Sequence, residues 1–168
     1  MTSLYYAALC GFSVLAERLI ITHAEDVNAK CCAGSTPLYV ASLRGHVDVA
    51  HVLIDHGADI NARKDGGPRP LHVASARGDR KVVQLLLEHE ATLDVRDDSN
   101  CTPLYHASQH GCLEIVRLLL DHGADANVQG MWGTPFQVAT FSGHHDVARL
   151  LQGHGAQLDR GVQKVQNE

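Results

Sequence analysis

The sequence predicts an all-α solenoid, in which short antiparallel helix pairs stack side by side and are joined by projecting β-hairpin loops. A tripeptide recurs along the chain, and a glycine and a histidine recur at the same spacing. A fixed period of this length is typical of repeat architectures. The tripeptide recurs at offsets of 33, 33 and 32 residues, as Thr36-Pro37-Leu38, Arg69-Pro70-Leu71, Thr102-Pro103-Leu104 and Thr134-Pro135-Phe136, and Thr2-Ser3-Leu4 begins a fifth copy.

Each copy follows from local rules. In most copies the tripeptide opens with a threonine, whose hydroxyl suits an N-cap, and continues with a proline, which suits the first helical position. A first helix therefore begins there, and in the second copy Gly45 ends it in a tight turn. The segment VDVAHVLIDH has the apolar spacing of a second helix. After Gly57, the polar segment 57–67 predicts a β-hairpin connector.

A single helix pair is too small to bury its own apolar face, so the copies must stack to form a continuous core. One of the predicted core columns consists of alanines, whose small side chains let neighbouring helices approach closely. The three predicted core columns are Leu38, Leu71, Leu104 and Phe136; Ala41, Ala74, Ala107 and Ala139; and Leu53, Leu86, Leu119 and Leu151.

The segments STPLYVASLRGHVDVAHVLIDHGADIN and CTPLYHASQHGCLEIVRLLLDHGADAN resemble the ankyrin repeat, whose consensus is TPLHxAAxxGHxxxVxxLLxxGADxN. The resemblance predicts a repeat domain over residues 1–159, followed by a short polar tail at 160–168. It further implies that a partner lies in a concave groove formed by the hairpin tips and the exposed face of the first helices. The five copies span about 2–30, 31–63, 64–96, 97–128 and 129–159.

Departures from the repeat pattern predict positions where the fold is less stable. The third copy has Arg69 in place of the capping threonine and Thr92 in place of the aspartate found in other copies. It also has Glu90 where glycine recurs, so a residue with a side chain must adopt the left-handed backbone conformation there. In the first copy Ala24 stands at that glycine position, and the second helix has one extra residue.

Composition limits the classes of protein. Fourteen Lys and Arg against nineteen Asp and Glu give a net charge of -5, which disfavours coating of nucleic acid or of an anionic membrane. No signal peptide or membrane span is predicted. The five cysteines show no CxxC pair and are expected to be reduced thiols, which predicts an intracellular location, cytoplasmic or nuclear.

No catalytic, cofactor-binding or metal site is predicted. The adhesion-like tripeptide Arg77-Gly78-Asp79 falls at the turn between the two helices of the third copy, and His144-His145-Asp146 falls at the same turn of the fifth. The histidine ladder suits helix C-termini, where imidazole bonds the last carbonyls. Aspartates that recur after the second helix are expected to brace the loops.

Candidate partner-binding residues are the variable ones on the predicted groove. The hairpin tips carry a column of cations, Lys30, Arg63 and Arg96, and the ends of the first helices carry Arg44, Arg77 and His110. The five Lys and Arg residues against Asp65 and Asp98 give +3, so the rest of the chain carries -8. At the C-terminal end the groove becomes apolar, with Met131, Trp132 and Phe141.

These features predict a non-enzymatic, monomeric protein-interaction module. The favoured partner is an acidic protein or peptide segment, extended or helical, with an apolar side chain seated by Trp132. The alternative is a structural spacer within a larger multidomain protein, with an empty groove. The apolar edge formed by Tyr5, Tyr6 and Phe12 leads us to expect further repeats or another domain before it. Nucleic-acid binding has the basic columns in its favour and the overall acidity against it.

Overall fold

A computed structural model of the protein describes residues 2–156, so the predicted tail and the last three residues of the fifth copy lie outside the described part. These residues form five antiparallel helix pairs, and no helix among them is long and apolar enough to cross a membrane. The first helices are α1 Ser3–Cys10, α3 Pro37–Arg44, α5 Pro70–Arg77, α7 Pro103–Gln109 and α9 Pro135–Phe141. The second helices are α2 Ser13–His23, α4 Val47–Asp55, α6 Arg80–Glu88, α8 Leu113–Asp121 and α10 His145–Gly153.

The predicted caps begin and end the first helices. The hydroxyl oxygens of Thr36 and Thr102 each accept the backbone N–H three residues later at 3.2 Å, and that of Thr134 does so at 3.3 Å. Gly45 and Gly78 end α3 and α5 in the left-handed conformation, with φ of 76° and 73°. The local rules therefore place both ends of α3 correctly, as well as the starts of α7 and α9 and the end of α5.

The helices form two layers. First helices pack on first helices and second helices pack on second helices, in chain order, so each pair packs against its neighbours. The predicted columns form the core: all four alanines and all four leucines of the third column are fully buried, and Phe136 is partly buried. The alanine column allows this close stacking because it lacks bulk.

The connectors between pairs reverse direction without forming paired strands. Each turn is closed by at least two backbone hydrogen bonds. Before α5 these are Lys64 N–H to Pro68 O at 3.1 Å and Gly67 N–H to Lys64 O at 3.0 Å, and before α7 they are Asp97 N–H to Cys101 O at 3.1 Å and Asn100 N–H to Asp97 O at 3.0 Å. Among residues 2–156 the sole β-type pairing is an isolated antiparallel bridge between Gly130 and Gly133. The predicted hairpins are therefore tight turns, because these short segments leave no room to extend a ladder.

The third pair is irregular, as its sequence predicts. Arg69 has no hydroxyl to cap α5, and its guanidinium cannot accept a hydrogen bond. His72 compensates in part, since its Nδ1 accepts the Arg69 backbone N–H at 3.1 Å. After α6, Glu90 adopts the left-handed conformation at φ 64°, and Ala24 does so after α2 at φ 48°.

Candidate functional site

The connectors are held in register by polar side chains. The Asp59 carboxylate accepts the Asn61 N–H at 2.9 Å, closing a local turn of the kind that recurs at Asp26 and Asp125. A second bond joins successive connectors, from the Asp59 N–H to the Asn28 side-chain oxygen at 2.8 Å. The recurring aspartates therefore brace loops, as predicted.

The first cationic column lies on these connectors. Lys30, Arg63 and Arg96 are all exposed. The Arg63 guanidinium pairs with the Asp98 carboxylate of the next connector, and both side chains remain more than half exposed. Arg96 donates to the Asn100 side-chain oxygen at 2.9 Å. Two of the three cations are thus oriented by neighbouring polar groups rather than extended freely into solvent.

The second cationic column lies at the ends of the first helices. Arg44 and Arg77 are the last residues of α3 and α5, both are exposed, and neither is ion-paired with any acidic side chain in residues 2–156. His110 caps the C-terminus of α7, where its Nδ1 lies 2.9 Å from the His106 carbonyl oxygen. Both arginines are therefore free to pair with an anionic partner.

One cation of this region was missed by the sequence reasoning. Lys64 lies in the connector before α5, and its Nζ is 5.5 Å from the centre of the Tyr39 ring on α3, a cation–π distance. Its position in the repeat could have identified it, because Lys64 occupies a variable position that is Cys31, Asp97 or Gln129 in other copies. The contact also shows that connectors lie against the first helices.

The apolar end of the predicted groove is exposed. Met131, Trp132 and Phe141 are 59%, 62% and 80% exposed, which is unusual for large apolar side chains. Trp132 and Phe141 line one shallow pocket together with Gln109, Val138 and Ser142, whereas Met131 lies outside it. We call this feature the Trp132 pocket.

Tyr105 holds the connector that carries Trp132. The Trp132 backbone N–H donates to the Tyr105 hydroxyl at 3.3 Å, and the Tyr105 ring is buried. Burial also raises the pKa of the Tyr105 phenol, so the hydroxyl remains a neutral hydrogen-bonding group at neutral pH. The indole is therefore presented to solvent by a backbone that is anchored to α7.

Ionisable side chains meet at the start of α7. The His106 Nε2 lies 2.8 Å from the Asp97 carboxylate, and the His106 ring packs edge-on against the His72 ring with centres 5.7 Å apart. Burial opposes ionisation of Asp97, but the bonds from His106 and from the Cys101 N–H outweigh it and lower the Asp97 pKa. Burial, together with the nearby His106 and against the pull of Asp97, lowers the pKa of His72 to about 4.

The other motifs have structural positions. Gly78 ends α5 and the Asp79 carboxylate accepts the Val82 N–H at 3.2 Å, so the adhesion-like tripeptide is the turn and N-cap between α5 and α6. In the histidine ladder, His56 and His122 each approach a carbonyl of the last turn at 2.8 Å. At the turn of the fifth copy, outside this ladder, His144 reaches the preceding pair, with its Nε2 3.2 Å from the Gln109 carbonyl oxygen.

Comparison with known proteins supports the repeat assignment. A family model described as ankyrin repeats (3 copies) matches residues 1–64 and again residues 62–130, more than half of the chain. A comparison with curated proteins gives no match. Ankyrin repeats are in general protein-interaction modules, a role consistent with the exposed cations and aromatic side chains described above. With its stacked helix pairs, its capping threonines and this match, the chain belongs to the ankyrin-repeat family.

Proposed function

We propose that this chain is a non-enzymatic interaction module that binds an acidic peptide segment with one apolar anchor. The observation that carries the proposal is the Trp132 pocket, in which two large aromatic side chains, Trp132 and Phe141, remain exposed. Aromatic residues in such positions are the usual anchors of protein interfaces.

The anchor half of the proposal rests on the cost of exposure. Trp132 and Phe141 leave most of their apolar surface in water, and burying such surface stabilises a complex by roughly 25 cal/mol per Å² before binding costs are subtracted. Because Tyr105 fixes the connector backbone, the indole has less conformational freedom to lose on binding.

The electrostatic half rests on Arg44 and Arg77, the two unpaired cations at the ends of α3 and α5. A row of like charge raises the local concentration of an oppositely charged segment and speeds its association. The net charge of -5 makes this local field a feature of one surface and not of the whole molecule.

Selection from a random peptide display library tests the proposal. We expect the enriched peptides to be rich in Asp and Glu, to share one aromatic or aliphatic position, and to bind more weakly as ionic strength rises. Enrichment of peptides with neither feature would overturn the proposal. Failure to enrich any peptide would favour a spacer with an empty groove.

Matched variants separate the groove from general surface effects. The double reversal Arg44→Glu with Arg77→Glu should slow association, whereas Arg117→Glu with Arg149→Glu should not. Both pairs change the net charge equally, but Arg117 and Arg149 are exposed on the second helices α8 and α10. Trp132→Ala should speed dissociation with little effect on association. Equal losses in both charge variants would contradict the proposed groove.

A further inference from the structure

Three different metal-ligating side chains converge at the start of α7. Asp97 and Cys101 come from the preceding connector and His106 from the first turns of the helix. One ligand atom from each, a carboxylate oxygen, the thiol sulfur and an imidazole nitrogen, lie within 4.8 Å of one another. Within the group, His106 Nε2 and Asp97 Oδ2 are 2.8 Å apart.

Among residues 2–156, such a group of three ligands is found in the fourth copy alone. In the second, third and fifth copies the His106 position is valine, namely Val40, Val73 and Val138. The Cys101 position is serine, proline or glycine and the Asp97 position is cysteine, lysine or glutamine in those copies. The ankyrin scaffold therefore does not require these three side chains, and all three departures fall together in space.

Hydrogen bonds fix the cluster before any ligand arrives. The Asp97 Oδ1 accepts the backbone N–H groups of Ser99 and Cys101, each at 2.9 Å, which leaves Oδ2 directed to His106. His72 has its Nε2 3.1 Å from the Cys101 carbonyl oxygen and thereby holds the Cys101 backbone. Its other ring nitrogen accepts the Arg69 N–H, so His72 is a positioning residue and not a fourth ligand.

The walls of the cluster are close and mainly apolar. The Tyr105 ring lies edge-on to His106 with centres 6.0 Å apart. A Cβ added at Gly130 would lie 3.2 Å from the Cys101 sulfur. The Cys101 side chain is buried, while the His106 side chain is 23% exposed and gives an ion a route from solvent.

We infer that Asp97, Cys101 and His106 form a binding site for a borderline-soft divalent transition metal, of which zinc is the best match. Sulfur, imidazole nitrogen and carboxylate oxygen are the ligands of zinc, whereas magnesium and calcium require oxygen ligands alone. Three protein ligands leave a fourth tetrahedral position for water. Binding replaces the Asp97–His106 hydrogen bond, in which the imidazole Nε2–H donates to the carboxylate, with two metal bonds. The neutral imidazole then carries its proton on Nδ1 instead of Nε2, by exchange with solvent, and the Cys101 thiol releases its proton to solvent. The proposed site departs from the expectation from sequence that the chain has no metal site.

Cobalt titration of the reduced, chelator-treated protein tests the site. Co²⁺ should bind with one-to-one stoichiometry and give the near-ultraviolet thiolate charge-transfer band together with the visible bands of a tetrahedral site. Zn²⁺ should then displace the cobalt and abolish both signals. A spectrum that lacks the thiolate band in the wild-type protein would overturn the inference.

The repeats themselves provide conservative variants. His106→Val, Cys101→Ser and Asp97→Gln each install the residue that another copy has at that position, and each should weaken Co²⁺ binding by more than about tenfold. The control is the double variant Cys31→Ser with Cys32→Ser. It removes a pair of neighbouring thiols elsewhere in the chain, whose sulfurs are 4.0 Å apart, and should leave the spectrum unchanged. Loss of the thiolate band in this control would assign the metal to that pair and overturn the inference.

A readout on the wild-type chain covers the case of a variant that fails to fold. Zn²⁺ should slow alkylation of Cys101, measured by peptide mass spectrometry, and should leave alkylation of Cys112 unchanged. Equal protection of both thiols, or no protection of either, would count against the site.

Discussion

Glu90→Gly is the substitution whose effect on stability follows most directly from the backbone. Glu90 follows α6 with φ 64°, at the position where Gly57 and Gly123 have φ of 84° and 91°. The Glu90 side chain is exposed, so its removal loses no core packing. The substitution should therefore stabilise the protein.

The magnitude combines three effects. The left-handed conformation costs an ordinary L-residue about 1–2 kcal/mol, and a carboxylate just past a helix C-terminus adds about 0.3 kcal/mol or more of unfavourable dipole interaction. Against these, glycine gives the unfolded chain extra freedom, which costs about 0.4–1 kcal/mol. We expect a net gain of about 1 kcal/mol in the free energy of unfolding. For a chain of this size, this gain corresponds to an increase of roughly 2–4 °C in the thermal unfolding midpoint.

Chemical denaturation followed by circular dichroism measures the change, and two variants separate its causes. Glu90→Ala removes the charge but keeps the strained backbone, so it should recover only the smaller part of the gain. Gly57→Ala should destabilise by about 1 kcal/mol, because a Cβ there meets no atom within 4 Å and strain alone acts. An unchanged or lower midpoint for Glu90→Gly, or a neutral Gly57→Ala, would refute the reasoning.

Two further predictions concern charge and pH. Because the folded-state pKa of His72 is depressed from 6.5 to about 4, the unfolded state takes up the proton first, and stability present above pH 6.5 should fall by about 3 kcal/mol as pH drops towards 4. His72→Gln should remove most of this pH dependence. The substitution should keep the helix cap, because the Gln137 side-chain oxygen accepts the equivalent backbone N–H in α9 at 2.8 Å. Urea midpoints that vary with pH in the same way for the variant and the wild-type protein would contradict this. Arg63→Ala should lower stability by less than about 1 kcal/mol in the same assay, because its pairing with Asp98 is exposed; a larger loss would show that the pair is not solvent-screened.

The fold could be predicted from the sequence because each of its determinants is local and repeated. The caps at Thr36, Thr102 and Thr134 and the turns at Gly45 and Gly78 depend on residues within a few positions of one another. The stacking columns then follow from the period alone, since equivalent residues of neighbouring copies must meet. Strand pairing in the connectors was the exception, because a turn signal does not determine how far a ladder extends.

The surface was predicted only in part. Register placed the groove cations and the exposed Trp132 on variable positions, but it could not show which long side chains pair. Arg63 reaches Asp98 in the next connector and Lys64 reaches the Tyr39 ring, contacts between repeats that depend on rotamers rather than on spacing. The meeting of Asp97 and His106 was missed for the same reason, since a connector must fold back onto α7 to bring them together.

Fluorescence of Trp132 during peptide titration tests the central claim most directly, because this side chain is the one tryptophan of the chain. With the tightest acidic peptide from the selection, emission should shift to shorter wavelength as the indole leaves water, and the midpoint should move to higher peptide concentration when salt is added. Emission that stays unchanged at saturating peptide would show that the partner segment binds elsewhere.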